Sequence, residues 1–116
     1  MELYLAHVGV NPENAKEVQA LRDLLRLGLG MSEPAETPLS WFAADGKIEV
    51  MKEKGFGTKG HLAFYTPDLP TTISELEKLG YRFDLSTAKY NPDGAMRLIY
   101  LDREINGFAI HMTTRK

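Results

Sequence analysis

Gly60-His61-Leu62-Ala63-Phe64-Tyr65-Thr66 (residues 60–66) is the stretch of sequence on which the fold prediction rests. Its run of apolar side chains, without Asp, Glu, Lys or Arg, is typical of a β-strand. Asp68-Leu69-Pro70 follows at once and predicts a helix start, with Asp68 as the N-cap and proline in the first turn. One face of that helix is formed by Ile73, Leu76 and Leu79.

The rest of the second half alternates strands and turns. Gly80 predicts the end of the helix, and 81–84 predicts a short strand. Longer strands are predicted at 96–101 and 108–113, joined by a hairpin at Asn106-Gly107. The order from residue 60 onward is therefore strand, helix and then further strands that close with a hairpin.

The first half repeats this order of elements. Residues 3–10 predict a strand, and Asn11-Pro12 predicts a helix start with Asn11 as the N-cap. The helix is expected to run to about Leu27 and to end at Gly28 and Gly30. Its apolar face is predicted to contain Val18, Leu21, Leu24 and Leu25.

Residues 31–52 complete the first half. The prolines within 31–38 limit any strand there to a short edge piece. Strands are predicted at 39–43 and 47–52, with the turn Ala44-Asp45-Gly46 between them. The segment 52–59, rich in glycine and lysine, is predicted to connect the halves.

The two halves are expected to form one domain over residues 1–116, with modules at about 1–53 and 59–116. About 55 residues per half is too few to bury a good core alone, so the halves should pack as one unit.

Composition excludes several classes of protein. The formal net charge is −2 and no basic stripe is present, which argues against a nucleic-acid partner. No apolar run is long enough to span a bilayer, and the first residues do not resemble a secretory signal. The absence of cysteine excludes disulfides and thiolate ligands. We therefore expect a cytoplasmic protein without a membrane or nucleic-acid partner.

All three histidines of the chain lie in predicted strands, at related positions of the two halves. His7 and His61 lie in the first strand of each half, and His111 lies in the last strand, where the first half has Glu49. Strand alternation places apolar neighbours on one face and these four residues on the other. Imidazole and carboxylate together suit zinc, nickel, manganese or iron(II), so a metal site is predicted.

Simpler explanations remain open from spacing alone. A single strand histidine is usually an ordinary hydrogen-bonded residue, and Glu49 could face solvent on the wet side of an antiparallel sheet. No short metal-binding motif supports the site. Trp41, on a predicted strand, is interpreted as a core residue.

Four segments in order resemble the vicinal-oxygen-chelate superfamily, which includes glyoxalases, epimerases, extradiol dioxygenases and bleomycin-resistance proteins. The sequence His7-Val8-Gly9-Val10 resembles the family's opening strand, and Ile48-Glu49-Val50 its strand with a ligand glutamate. Residues 60–64 are similar to the start of the family's second module, and residues 106–111 are similar to its closing strand. The resemblance covers nearly the whole chain.

The resemblance implies an α+β fold: two βαβββ modules that form a cupped, mostly antiparallel sheet with helices on the outer face. It also implies one divalent ion held by His7, Glu49, His61 and His111. The expected activity is that of a metal-dependent lyase or isomerase acting on a small oxo- or hydroxy-acid, in a protein that is a homodimer.

The last position departs from the family, because His111 stands where the enzymes usually have glutamate. Glu49 and His111 are therefore both candidate catalytic residues, with Glu49 as the better candidate base. Lys89, Tyr90 and Arg97 are predicted to bind the substrate anion, although solvated surface charge is the simpler explanation for them.

A narrower resemblance connects residues 87–90, 99–101 and 108–111 with the glyoxalase-like domain of some bacterial keto-deoxy-phosphogluconate / hydroxy-oxoglutarate aldolases. It implies an alternative function, an accessory or regulatory domain with an aldolase partner. A non-catalytic drug-binding protein is a further alternative.

Overall fold

The computed structural model describes residues 2–33 and 35–115. Across these residues the chain forms one eight-stranded sheet with two α-helices. The first half contains β1 (Tyr4–Val10), α1 (Ala15–Asp23), a π-helical turn (Leu24–Gly28), β2 (Ala35–Glu36), β3 (Ser40–Ala43) and β4 (Ile48–Met51). The second contains β5 (Gly60–Tyr65), α2 (Leu69–Lys78), β6 (Phe83–Tyr90), β7 (Met96–Leu101) and β8 (Phe108–Thr113).

The sheet has the strand order β2-β3-β4-β1-β5-β8-β7-β6, so the first strands of the two halves pair at its centre. The β1–β4 and β5–β8 pairs are parallel, and the other pairs are antiparallel. The predicted α+β fold, with two βαβββ modules in a mostly antiparallel sheet, is confirmed.

Both helices cover the same face of the sheet, where apolar side chains are buried. On the α1 side, Leu25 packs against Ala43 and Val50, and Trp41 is partly buried against this cluster, as predicted. On the α2 side, Leu69 packs against Ile99 and Met112. The opposite face of the central strands is therefore left for polar side chains.

Helix α1 begins three residues later than predicted, because Asn11 has a tertiary partner. The N-cap is Asn14, whose side chain accepts a hydrogen bond from the Glu17 amide at 2.9 Å. The side chain of Asn11 instead binds the connector: its Nδ2 donates to Gly57 O at 2.7 Å, and its Oδ1 accepts from Gly55 N at 3.0 Å. The predicted cap at Asn11 was wrong.

Two predictions of apolar helix faces were wrong at the C-terminal ends. Leu24 is 53% exposed where α1 passes into the π-helical turn, and its neighbour Leu25 is buried instead. Leu79 is 74% exposed at the end of α2. In the part of the chain that is described, no helix has the length and apolar character required to cross a membrane.

Candidate metal centre

The four predicted ligands lie on adjacent central strands, β4, β1, β5 and β8. Strand register arranges them in two neighbouring rows across the sheet. In the first row, Gly9 stands between Glu49 and His61. In the second, Ala63 stands between His7 and His111. Small residues at the intervening positions leave room for the larger polar side chains above them.

Three of the ligand residues converge on one point. The Nε2 atoms of His7 and His61 lie 3.2 Å apart, and the Oε1 atom of Glu49 lies 3.3 Å from the first and 3.0 Å from the second. Ligands at 2.0–2.1 Å from one ion would lie roughly 3.0 Å apart in octahedral and 3.4 Å apart in tetrahedral geometry. The spacing of these three atoms therefore fits a single divalent ion.

His111 lies beside this cluster, although its nitrogens are outside the three-atom group. Its ring centroid is 5.4 Å from that of His61 and 5.7 Å from that of His7. Both of its ring nitrogens are buried without a hydrogen-bond partner. Burial, followed by the neighbouring His61 and His7, lowers the pKa of His111 to about 3, so the ring is neutral.

Glu49 is held as a carboxylate by its neighbours. Burial acts to raise its pKa, but hydrogen bonds from His61, His7 and Ser40 outweigh burial and set the pKa well below the ordinary value. Ser40 is fully buried and donates to Oε2 of Glu49 at 2.6 Å. The hydroxyl of Thr37 lies 3.1 Å from that of Ser40 and extends this chain.

Gly9 provides the space that the His61 ring occupies. A Cβ atom at this position would fall within the ring, against Cε1, Nδ1 and Nε2. Any side chain on residue 9 would therefore displace His61 from the cluster.

Aromatic rings surround the cluster, and no sequence pattern predicted them there. The Phe42 ring packs edge-on to His7 at 5.5 Å, and the Tyr100 ring packs edge-on to His111 at 4.7 Å. Phe56, from the connector, contacts Tyr100 at 4.6 Å. Burial, followed by the charge of Glu49, raises the pKa of Tyr100 to about 12, so its hydroxyl keeps its proton.

The cluster lines a concave cavity of about 1010 Å³. Lys89 and Arg97, two of the predicted substrate-binding residues, also line it. Tyr90 does not: it follows Lys89 on β6, is 55% exposed and is not among the lining residues. The apolar part of the wall includes Leu39, Phe42, Met51 and Leu98.

The donor set fits a divalent metal ion on two observations. Two imidazole nitrogens and a carboxylate oxygen, ligand types that zinc and other divalent metals accept, already meet at ligand-to-ligand spacing. The unpartnered nitrogens of His111 add an adjacent donor whose burial is otherwise uncompensated.

Neither a protein-family model nor a curated protein sequence matches this chain. Its fold, in contrast, is shared with solved structures. A hypothetical protein of Bacillus halodurans has a TM-score of 0.67 and 17% identity, over 100% of this chain and 96% of that one.

Two methylmalonyl-CoA epimerases share the fold as well. The Mycobacterium tuberculosis epimerase has a TM-score of 0.65 and 17% identity, over 94% of this chain and 85% of that one. A Streptomyces coelicolor epimerase variant in complex with 2-nitronate-propionyl-CoA has a TM-score of 0.60 and 15% identity, over 93% of this chain and 94% of that one. At these identities the likeness shows the fold alone, and nothing in it supports the aldolase-associated subgroup.

Proposed function

We propose that this protein is a metal-dependent isomerase or lyase of the vicinal-oxygen-chelate type, acting on a small oxo- or hydroxy-acid. The observation that carries the proposal is the convergence of His7, Glu49 and His61 in the wall of the concave cavity. Methylmalonyl-CoA epimerases, which share this fold, are isomerases, and this supports the choice of reaction.

In this proposal His7, Glu49, His61 and His111 hold one divalent ion, zinc, nickel, manganese or iron(II). When bound, the ion supplies Lewis-acid stabilisation of negative charge on a substrate oxygen. His111 is assigned as the fourth ligand because a neutral, buried imidazole without a hydrogen-bond partner is suited to donate a lone pair.

Proton transfer is assigned to Glu49. Its carboxylate lies at the cluster, and a carboxylate beside a metal-bound substrate can accept a proton from it. Ser40 fixes Oε2, so that Oε1 remains directed at the cluster. Tyr100, which lines the cavity and keeps its hydroxyl proton at neutral pH, is assigned as a hydrogen-bond donor to a bound oxyanion.

The first test is elemental analysis of untagged protein purified without chelators, beside a His61→Ala variant. We expect about one divalent ion per chain in the wild type and loss of that ion in the variant. Absence of metal from the wild type, together with no uptake on titration, would contradict the proposal and favour a binding or accessory domain on the same fold.

The second test follows exchange of substrate C–H protons with deuterated solvent over a panel of oxo- and hydroxy-acids. Glu49→Gln keeps an oxygen ligand but removes the base, so we expect exchange to fall by about 10²–10⁴-fold with metal retained. Full exchange activity in Glu49→Gln would exclude Glu49 as the base. The homodimer and the aldolase partner remain predictions.

A further inference from the structure

Arg97 carries a donor that the fold leaves unused. Its side chain lines the same cavity as the metal cluster, and its Nε is buried without a hydrogen-bond partner. An N–H group buried in this way is unfavourable unless something accepts from it. The guanidinium charge of this cavity-wall residue therefore has no protein partner at Nε.

Two further cations lie on the chain segments beside Arg97. Lys89 on β6 is registered with Leu98, the residue that follows Arg97 on β7. On the other side, the Thr114 amide donates to Arg97 O at 2.9 Å, which places Arg115 next to it. Lys89, Arg97 and Arg115 all line the cavity, and we call them the cationic group.

The cationic group has no internal counter-charge. Within residues 2–33 and 35–115, no carboxylate forms a salt bridge with any of its three side chains. Among the described residues, four cationic side chains including Lys54 line the cavity, against the two carboxylates Asp45 and Glu49. Glu49 already binds the histidines, so the cavity has an excess of positive charge although the chain has a formal net charge of −2. Such a cavity attracts anions.

Strand register separates the cationic group from the metal cluster. Tyr100 is registered with His111, and Arg97 precedes Tyr100 by three residues on β7. Three residues of strand span about 10 Å of backbone. The long side chain of Arg97 can make the distance between its guanidinium and the cluster shorter than this. Leu98 lines the cavity between the two positions.

We propose that the substrate has two anionic ends: one that binds at the metal cluster, and a phosphate or carboxylate that binds Lys89, Arg97 and Arg115. This inference rests on the proposed function for its first end. It narrows the substrate class to bifunctional acids. The cavity of about 1010 Å³ is at the upper end of the range for small-molecule sites, which agrees with a ligand longer than a simple oxo-acid.

Calorimetric titration of metal-free protein with inorganic phosphate and with glutarate tests the cationic group independently of the metal. We expect binding that Arg97→Gln weakens by roughly tenfold or more, as for loss of a charge-assisted hydrogen bond. Arg115→Gln changes an exposed residue and is expected to weaken binding without affecting the fold. Arg103→Gln, at an exposed arginine outside the cavity, is the matched control.

Tighter binding of phosphate would identify a phosphate ester, and tighter binding of glutarate a dicarboxylate. Failure of both anions to bind, or equal weakening by Arg103→Gln, would overturn the inference. With metal present, 2-oxo dicarboxylates of increasing chain length should bind more tightly than pyruvate, and Arg97→Gln should remove that advantage. Metal uptake without anion binding contradicts only this inference, whereas anion binding without metal uptake contradicts the proposed function.

Discussion

At the scale of single residues, Gly9 determines whether His61 can reach the metal cluster. A methyl group at this position would overlap the imidazole ring, so Gly9→Ala must move one of the two. We expect metal affinity to fall by about 10–100-fold, as when the support of a ligand histidine is lost. Metal titration against a competing chelator measures this.

Gly28→Ala is the control for that substitution. A Cβ at residue 28 would meet only the flexible end of Leu24, and the position lies away from the cavity-lining residues. Unchanged metal affinity in Gly9→Ala would show that His61 is not a ligand in the orientation described.

Ser40 supports the carboxylate of the cluster, and its loss should be measurable. Ser40→Ala leaves Oε2 of Glu49 without its 2.6 Å hydrogen bond in a buried position. We expect metal affinity to fall by about tenfold and the free energy of unfolding of the metal-free protein to fall by about 1–3 kcal/mol. Metal titration and chemical denaturation report the two effects.

Ser86→Ala is the matched control, because Ser86 donates to Asp84 at the same distance of 2.6 Å but in an exposed position. Equal losses in the two variants would mean that the burial of the Ser40–Glu49 pair is unimportant.

Strand alternation was sufficient to predict that His7, Glu49 and His61 share a face, because alternation is a local property. Gly9 has its role because it pairs with His61 on the neighbouring strand, and Tyr100 because it pairs with His111. The pattern within a single strand does not encode such cross-strand register. For Ser40 a local signal was present: it lies two residues before Phe42 on β3 and therefore on the same face of the sheet, opposite to that of Trp41.

At the scale of elements, an ion pair joins α1 to the segment before β2. Arg22 donates to both carboxylate oxygens of Glu33, at 2.7 and 2.8 Å, and both side chains are at most 15% exposed. The Arg22 guanidinium also lies 3.7 Å from the centre of the Trp41 ring. We expect Glu33→Gln to lower the free energy of unfolding by about 1 kcal/mol at neutral pH, measured by denaturation.

The pH dependence of that effect follows from the pKa of Glu33, which is lowered by the hydrogen bonds from Arg22, against opposition from burial. A carboxyl group whose pKa is lower in the folded than in the unfolded state stabilises the fold at pH values above its unfolded-state pKa, near 4.5. This contribution is lost as the pH falls through the folded-state pKa. The difference between wild type and Glu33→Gln should therefore vanish in acid. Glu75 forms an exposed pair with Lys78, so the free energy of unfolding of Glu75→Gln should differ little from that of the wild type at any pH.

The strands were more predictable than the helix start and β6. Alternation and the Asn106-Gly107 turn located β7 and β8 to the residue. The prediction ended β6 at Asp84, whereas the strand continues to Tyr90 through a register shift. Within that shift, the hydroxyl of Thr87 accepts a hydrogen bond from the amide of Tyr100 at 3.0 Å. Such a bulge interrupts the alternation that sequence reasoning depends on.

At the scale of the whole molecule, the proposed metal site connects the two halves of the chain. His7 and Glu49 come from the first half, and His61 and His111 come from the second. The halves already share the central pairing of β1 with β5, from Tyr4 opposite Tyr65 to Val10 opposite Gly60. An ion held by all four residues would therefore stabilise the whole sheet rather than either half, and we propose that the chain unfolds as one unit.

Thermal unfolding with and without metal tests this proposal. Metal at about 100 times its dissociation constant should add about 2.7 kcal/mol to the free energy of unfolding, seen as a shift of one transition to higher temperature. His61→Ala should abolish the shift, and Arg103→Gln should preserve it. Two separate transitions, with only one moved by metal, would mean that the ligands of one half suffice and that the halves unfold independently. A single transition that metal shifts to higher temperature is the outcome expected when the pairing of β1 with β5 and the ion together hold both halves in one cooperative unit.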